Sequence, residues 1–506
     1  MHRISVRPLN IVFAVSCLLA AALPLAATAQ GAERIYWANA GGAPAPEISF
    51  AQLDGSGGAP LNTLGAPAEC CPFGTAIDSA AGRIYWGNEF LPISLALLNG
   101  SGGGALNTAG ATTSGDSEGV AIDPAAGRVY WSNYGADKIS FANLDGSGGG
   151  DLDTTGATVD GPQGVAIDPG ASRIYWANFG TPAISFANLG GGGGDDLNTA
   201  GATLSRPFGV AIDASAATIY WANAEANKIS FARLDGSGGR DLDTSGATVV
   251  FPVGVAIDPE EGRIYWANYN ADRISFARLD GSGGEDIVTA GANPAAPNSP
   301  SLMEAPRAAG APELVGSAAP RSTLSCSQGT WAPDLIASFL YRAPEDIGYE
   351  WTRNGAVIAG ADQSSFSPGA VGIYRCRVIA SDAAGSSSQV SALHAIFRLG
   401  AVRRNKRRGT AKLIVQLPGA GTITLAGRGI AAPRAKRRAE SSVTRRVGSA
   451  GAIALLIRAK GKKARKLSKT GQVSLRARLT YVPTGGLPGT QTKALKLIKR
   501  RRSRQR

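Results

Sequence analysis

The dipeptide Tyr-Trp occurs six times in this chain. It lies in "RIYWAN" at 34–39, "RIYWGN" at 83–88, "RVYWSN" at 128–133, "RIYWAN" at 173–178, "TIYWAN" at 218–223 and "RIYWAN" at 263–268. The tryptophans Trp37, Trp86, Trp131, Trp176, Trp221 and Trp266 stand 49 and then four times 45 residues apart. Self-similarity at such a period belongs to solenoids and propellers. One unit, "GVAIDPAAGRVYWSNYGADKISFANLDGSGGGDLDTTG" (119–156), divides into four short runs. "GVAID" is almost continuously apolar, as a strand covered on both faces would be. "RVYWSN" and "KISFANL" alternate, with Val129/Trp131 and Ile139/Phe141 each on one face. "GDLDTTG" is polar and suits an exposed edge. Asp-Pro and Asp-Gly punctuation favours turns over helices. Four strands graded from buried to wet describe one blade of a β-propeller.

A blade cannot hide its faces alone. Tyr and Trp each bury about 150–250 Å² and keep one polar atom for a hydrogen bond. The six pairs are therefore read as core rather than as a ligand cage. The fold class that follows is all-β, with a propeller at its N-terminal end.

The same residues resemble the low-density-lipoprotein-receptor class B, or YWTD, repeat over about 31–294. The resemblance implies a six-bladed propeller. Asn39, Asn88, Asn133, Asn178, Asn223 and Asn268 stand where that family usually has Asp. An amide both donates and accepts, so a structural role survives loss of the charge. Only five "G(V/T)AID" runs are present, starting at Gly74, Gly119, Gly164, Gly209 and Gly254. "GANPAAPNSPS" follows the last repeat and does not read as a strand. One blade is thus expected to lack its inner strand, and closure of the ring stays open.

Strand alternation separates the loops into two ends. The turns "DPAAGR" and "LDGSGG" are nearly constant within the chain, whereas the loops at the other end differ in every repeat. Variable loops on a rigid scaffold are where recognition is usually built. Phe73, Phe90, Tyr134, Phe179, Phe208 and Tyr269 are the apolar candidates on that face, and Asp137, Lys138, Lys228, Asp272 and Arg273 the charged ones. Drift among solvent-facing loops is the plainer alternative. No catalytic residue is assigned. The single histidine after the N-terminal segment, His394, lies outside the repeats, which disfavours triads and histidine metal sites there. Asp78, Asp123, Asp168, Asp213 and Asp258 recur, but in turns where Asp bonds its own backbone. No metal ligand and no cofactor is expected.

Charge divides the chain. Residues 30–297 hold 12 Lys+Arg against 29 Asp+Glu, residues 298–397 hold 6 against 8, and residues 398–506 hold 31 against 1. Six segments follow. Residues 1–29 carry Arg3, Arg7, an apolar run and "ATA", the pattern of a cleaved signal peptide, which implies export. The propeller occupies 30–294 and a Pro/Ala-rich linker 295–318. In 319–397, Cys326, Trp351 and Cys376 are spaced by 25, and Tyr374 stands two residues before the second Cys. That stretch resembles bacterial immunoglobulin-like modules, and the resemblance implies a Cys326–Cys376 bridge packed on Trp351. Cys70 and Cys71 form either a vicinal disulfide or a pair of free or intermolecular thiols. A basic β-rich module spans 398–498, with strands at "AKLIVQL", "TITLAG", "AIALLIRA" and "VSLRARLTYV" and charge runs between them. A basic tail fills 499–506.

The function expected is a secreted or cell-surface binding or adhesion protein, not an enzyme. The propeller would take a protein or glycan ligand. The basic module would associate with anionic envelope polymer or lipid headgroups, or with the acidic propeller of another copy. Tyr481 is its one clear aromatic, so it lacks a stacking platform and nucleic acid is disfavoured. A metal-dependent propeller hydrolase or lactonase is the alternative, and a purely structural envelope component a third possibility.

Overall fold

The tyrosine and tryptophan of each repeat sit on opposite faces of the same buried strand. The computed structural model describes residues 33–41, 47–67, 71–89, 93–113, 116–431 and 442–500. The proposed signal peptide, Phe90, Cys70 and residues 501–506 of the basic tail lie outside them. Five consecutive four-stranded antiparallel sheets run inner strand to outer strand in chain order, for example Pro162–Asp168, Arg173–Asn178, Ala183–Asn188 and Asp195–Asp196. They are blades 2 to 6.

Blade 1 corrects the sequence reading. Its second, third and fourth strands are Glu33–Asn39, Glu47–Gln52 and Gly58–Pro60, and its inner strand is Pro297–Glu304. That strand pairs antiparallel with Glu33–Asn39, matching Ile35 to Leu302 and Ala38 to Asn298. The stretch expected to be linker therefore closes the ring. Each inner strand packs beside the next, and Pro297–Glu304 touches both Pro252–Asp258 and Pro72–Asp78. Pro300 is tolerated because it falls, with Ser299, in a bulge opposite Trp37. Every other blade shifts register one position further along, opposite the residue after the tryptophan, as between Pro207 and Val210 opposite Ala222. A proline at a bulge removes no ladder hydrogen bond.

The repeat tryptophans are buried in every blade, Trp86 at 4% exposure and the other five at 0%. Five of the six tyrosines pack across strands on a phenylalanine of their own blade, as Tyr175 does on Phe186 with ring centroids 5.6 Å apart, while Tyr85 in blade 2 stands opposite Leu95. In four of these five blades an arginine at the strand start lies over the phenyl ring, as Arg173 lies over Phe186 at 4.5 Å. Blade 5 begins with Thr218 instead, and Arg240 from the outer strand covers Phe231 at 5.1 Å. At the hub the backbones nearly touch. A Cβ placed on Gly164 would lie 2.5 Å from the Cα of Gly209, so a side chain there has no room.

Beyond the ring the chain builds a two-sheet sandwich. Leu314–Gly316, Leu324–Cys326 and Ser365–Phe366 form one sheet, and Asp346–Arg353 with Gly372–Ser381 centre the other. Cys326 and Cys376 join the two in a disulfide, with Cα atoms 6.4 Å apart. Trp351 is fully buried in the same cluster. The Tyr374 hydroxyl donates to the Ala370 carbonyl at 2.9 Å.

A segment of this sandwich seals the constant-turn end of the propeller. Leu340–Tyr341 lies parallel to Pro297–Glu304, and the short 3-10 turn Ile336–Ser338 packs on four inner strands. Leu302 N–H donates to Phe339 O at 2.8 Å and Ser338 Oγ to Ile212 O at 2.7 Å. Phe339, Leu340 and Tyr341 are buried in the propeller core. Around them Asp334 accepts from Ser79 Oγ at 2.6 Å, and buried Arg342 bridges Glu260 at 2.9 Å and Glu304 at 3.6 Å.

The basic module is a pair of sheets around one core. Arg398–Asn405, Thr410–Leu417 and Gly451–Ile457 make the first, and Ser442–Val447, Gly421–Ala426, Gln472–Pro483 and Gly489–Ile498 the second. All four expected strands are present, with Val473, Leu475, Ala477, Leu479 and Tyr481 inward. Two charge runs are ordered rather than loops: "RRN" ends the first strand, and "GKKARKLSKT" is the helix Gly461–Thr470. Phe397 and Ala318 of the sandwich join this core. Among the described residues no helix is long and apolar enough to cross a membrane.

Candidate binding face

The inner strands enter from the variable-loop end, so the residue before each hub glycine stands nearest that face. These residues are Phe73, Glu118, Gln163, Phe208, Val253 and, by the closing strand, Asn298. Glu118, Gln163 and Asn298 are all more than nine-tenths buried. Glu118 Oε2, Gln163 Oε1 and Asn298 Nδ2 have no hydrogen-bond partner. Burial, with the nearby Asp116 and Glu89 carboxylates, pushes the Glu118 carboxyl up to about 8. At neutral pH this group is therefore mostly an uncharged acid that can donate as well as accept.

Beside this rim the structure joins several of the expected aromatics. Tyr134 meets Phe179 edge to face at 6.1 Å, and Phe179 meets Phe208 at 6.2 Å and 88°. The Arg206 guanidinium lies 4.8 Å from the Phe179 ring centroid and pairs with Glu225 at 2.9 Å. Loops of blades 3, 4 and 5 thus build one half-exposed aromatic shelf. Tyr269 belongs to a second patch with Phe251, at 6.1 Å. Phe73 is half-buried at the rim.

The charged candidates are placed differently. Lys138, Lys228 and Arg273 reach back across their own blades to Asp151, Asp241 and Asp286 at 2.6, 2.6 and 2.9 Å. Asp137 accepts from Gly161 N–H at 2.8 Å and Asp272 from Ala296 N–H at 2.7 Å, each on the next blade. These side chains hold the blades in register at the rim of the shelf. Cys71 is disulfide-bonded.

Sequence reasoning passed over Arg206, Phe251 and Asn298 as members of this face. Asn298 was available by counting, since it stands 45 residues beyond Val253.

The hub itself offers a void of about 20 Å³, lined by the six-fold Gly/Ser ring, the residues after it and Phe339. No carboxylate lines it. Asp78, Asp123, Asp168, Asp213 and Asp258 each accept a backbone N–H in their turns, at 3.0 to 3.1 Å. Among the described residues no group of three or more His, Cys, Asp or Glu is arranged to hold a metal ion.

No protein-family profile matches the chain, and no curated protein does. Solved structures match over about half of it. A chain from a nidogen/laminin complex is 19% identical, covering 53% of this chain and 98% of its own length at a TM-score of 0.43. A protein from Lactobacillus plantarum is 16% identical over 54% and 100%, at 0.39. A putative 6-phosphogluconolactonase from Bacteroides fragilis is 11% identical over 55% and 99%, at 0.39.

Proposed function

We propose that this is a non-enzymatic binding or adhesion protein of the cell surface or the extracellular space, whose propeller takes a protein or glycan ligand on its variable-loop face. The observation that carries the reading is the shelf of Tyr134, Phe179 and Phe208, contributed by three blades and set beside a rim of buried polar groups. Aromatic shelves rimmed by hydrogen-bonding groups suit peptides and sugars, which present apolar faces and neutral polar edges. The sealed hub has no space for a substrate and no carboxylate to hold a metal, so the lactonase alternative gains nothing from it. The YWTD-like and immunoglobulin-like identities belong to this proposal as well. The sandwich is then a short, packed spacer, and the basic module holds the molecule near anionic envelope material.

A protein and glycan array probed with the full chain tests the reading. Hits are expected, and Phe179→Ala with Phe208→Ala should weaken them by about 2 kcal/mol or more, the scale of an aromatic anchor. An array without hits, or hits indifferent to both substitutions, contradicts it.

A further inference from the structure

The first sheet of the basic module carries a cleft of about 560 Å³ on its outward face. Pairing places its residues without appeal to loops. Arg403 stands opposite Lys412, and Lys412 opposite Leu456. Two ranks further on, Asn405 stands opposite Thr410. Arg458, next after Ile457, falls in that rank too, because Ala411 pairs with Ile457. Side chains two apart on a strand share a face, so both ranks point the same way. The intervening rank of Ala411 and Ile457 points into the core, at 1% and 0% exposure. Arg404 and Arg408 complete the wall, Arg404 tethered through Nε to the Lys496 carbonyl at 2.8 Å.

Arg403, Arg408, Lys412 and Arg458 therefore gather on one concave surface, with Arg404 at its edge turned toward the second sheet, and no carboxylate among the described residues of the module offsets them. Residues 398–506 contain a single carboxylate, Glu440, outside the described residues. Among the described residues none of the five takes part in an ion pair. Four of the five are arginines, whose planar forks match phosphate oxygens in pairs. We propose that this cleft binds clustered phosphates, two or more in one ligand, as a phosphodiester polymer or adjacent phospholipid headgroups would present them. The proposal rests on the reading of the basic module as an anion-associating unit and gives that unit a site.

The test compares two triple variants of the full chain with the unaltered one. Arg403→Ala/Lys412→Ala/Arg458→Ala empties the cleft. Arg446→Ala/Arg476→Ala/Arg478→Ala removes the same charge from the exposed face of the second sheet. All six side chains are exposed, so unchanged thermal unfolding is the fold control. Inorganic tripolyphosphate is titrated calorimetrically, and phosphatidylglycerol vesicles are co-sedimented. The cleft variant should lose about tenfold or more in affinity, the scale of lost charge-assisted hydrogen bonds, and the second variant much less. Cleft-dependent binding of tripolyphosphate points to soluble polymer, and cleft-dependent binding of vesicles alone to headgroups; either supports the site. Equal weakening by both variants overturns the cleft while leaving the module's anion association standing. No binding to either probe at low salt overturns both.

Discussion

Asparagine in the repeat does work that a charged residue would do differently. In blade 3 the Trp131 indole N–H donates to Asn133 Oδ1 at 3.0 Å, and Asn133 Nδ2 donates to Ser140 Oγ at 2.8 Å. The Ser140 hydroxyl donates to Asp151 at 2.7 Å, and Asp151 also accepts from Thr112 N–H at 2.9 Å. A buried indole is thus wired to the outer strand and on to the neighbouring blade. The sequence made this legible only in part. An amide able to donate and accept was readable from Asn133, but its two partners lie on other strands. Asn133→Ala leaves the Trp131 N–H unpaired in a dry site, and a loss of about 1–3 kcal/mol is expected, measured by urea denaturation. An unchanged midpoint would mean the indole has another acceptor.

At the scale of elements, the blades were legible because alternation and punctuation repeat at a fixed period. Two elements were not. The closing strand keeps the period, with Pro297 standing 45 residues after Pro252, but Asn-Ser-Pro-Ser replaces Val-Gly-Val-Ala. Local composition therefore argued against a strand that tertiary pairing imposes. The segment around Phe339 has no internal repeat, and its partners are far away in sequence. It packs on the hub only once the ring exists. Phe339 is 6% exposed and holds a left-handed backbone, φ 57°. Phe339→Ala should cost about 3–5 kcal/mol through lost burial and the cavity left behind, read from the fluorescence of the repeat tryptophans during unfolding. A cost below this range would show that the segment merely rests on the ring.

Across the whole molecule, the contact between propeller and sandwich sets a pH dependence. Burial, then the Asp258 carboxylate, raise Glu304 against the pull of Arg342, to about 7. Burial likewise raises Asp382, whose backbone hydrogen bonds and Arg34 oppose the shift, to about 7. Their ordinary values are 4.5 and 3.8, so the folded chain holds protons that the unfolded chain has released. Such groups contribute stability that is complete below their unfolded values and lost as pH rises through about 7. Glu118 acts in the same sense up to about 8. Buried His394, lowered from 6.5, acts in the opposite one. Three carboxyls against one imidazole predict a net fall in stability from pH 5 to 7.5. Glu304→Gln should flatten that slope, and an unaltered slope would remove Glu304 from the explanation.

Pro297–Glu304 closes a ring of six blades against Glu33–Asn39, and hydrogen exchange on the full chain tests that closure directly. Amides of 297–304 that pair in the sheet should exchange as slowly as those of 252–258. Exchange of 297–304 at the rate of an open linker, while 252–258 stays protected, would contradict the closed ring.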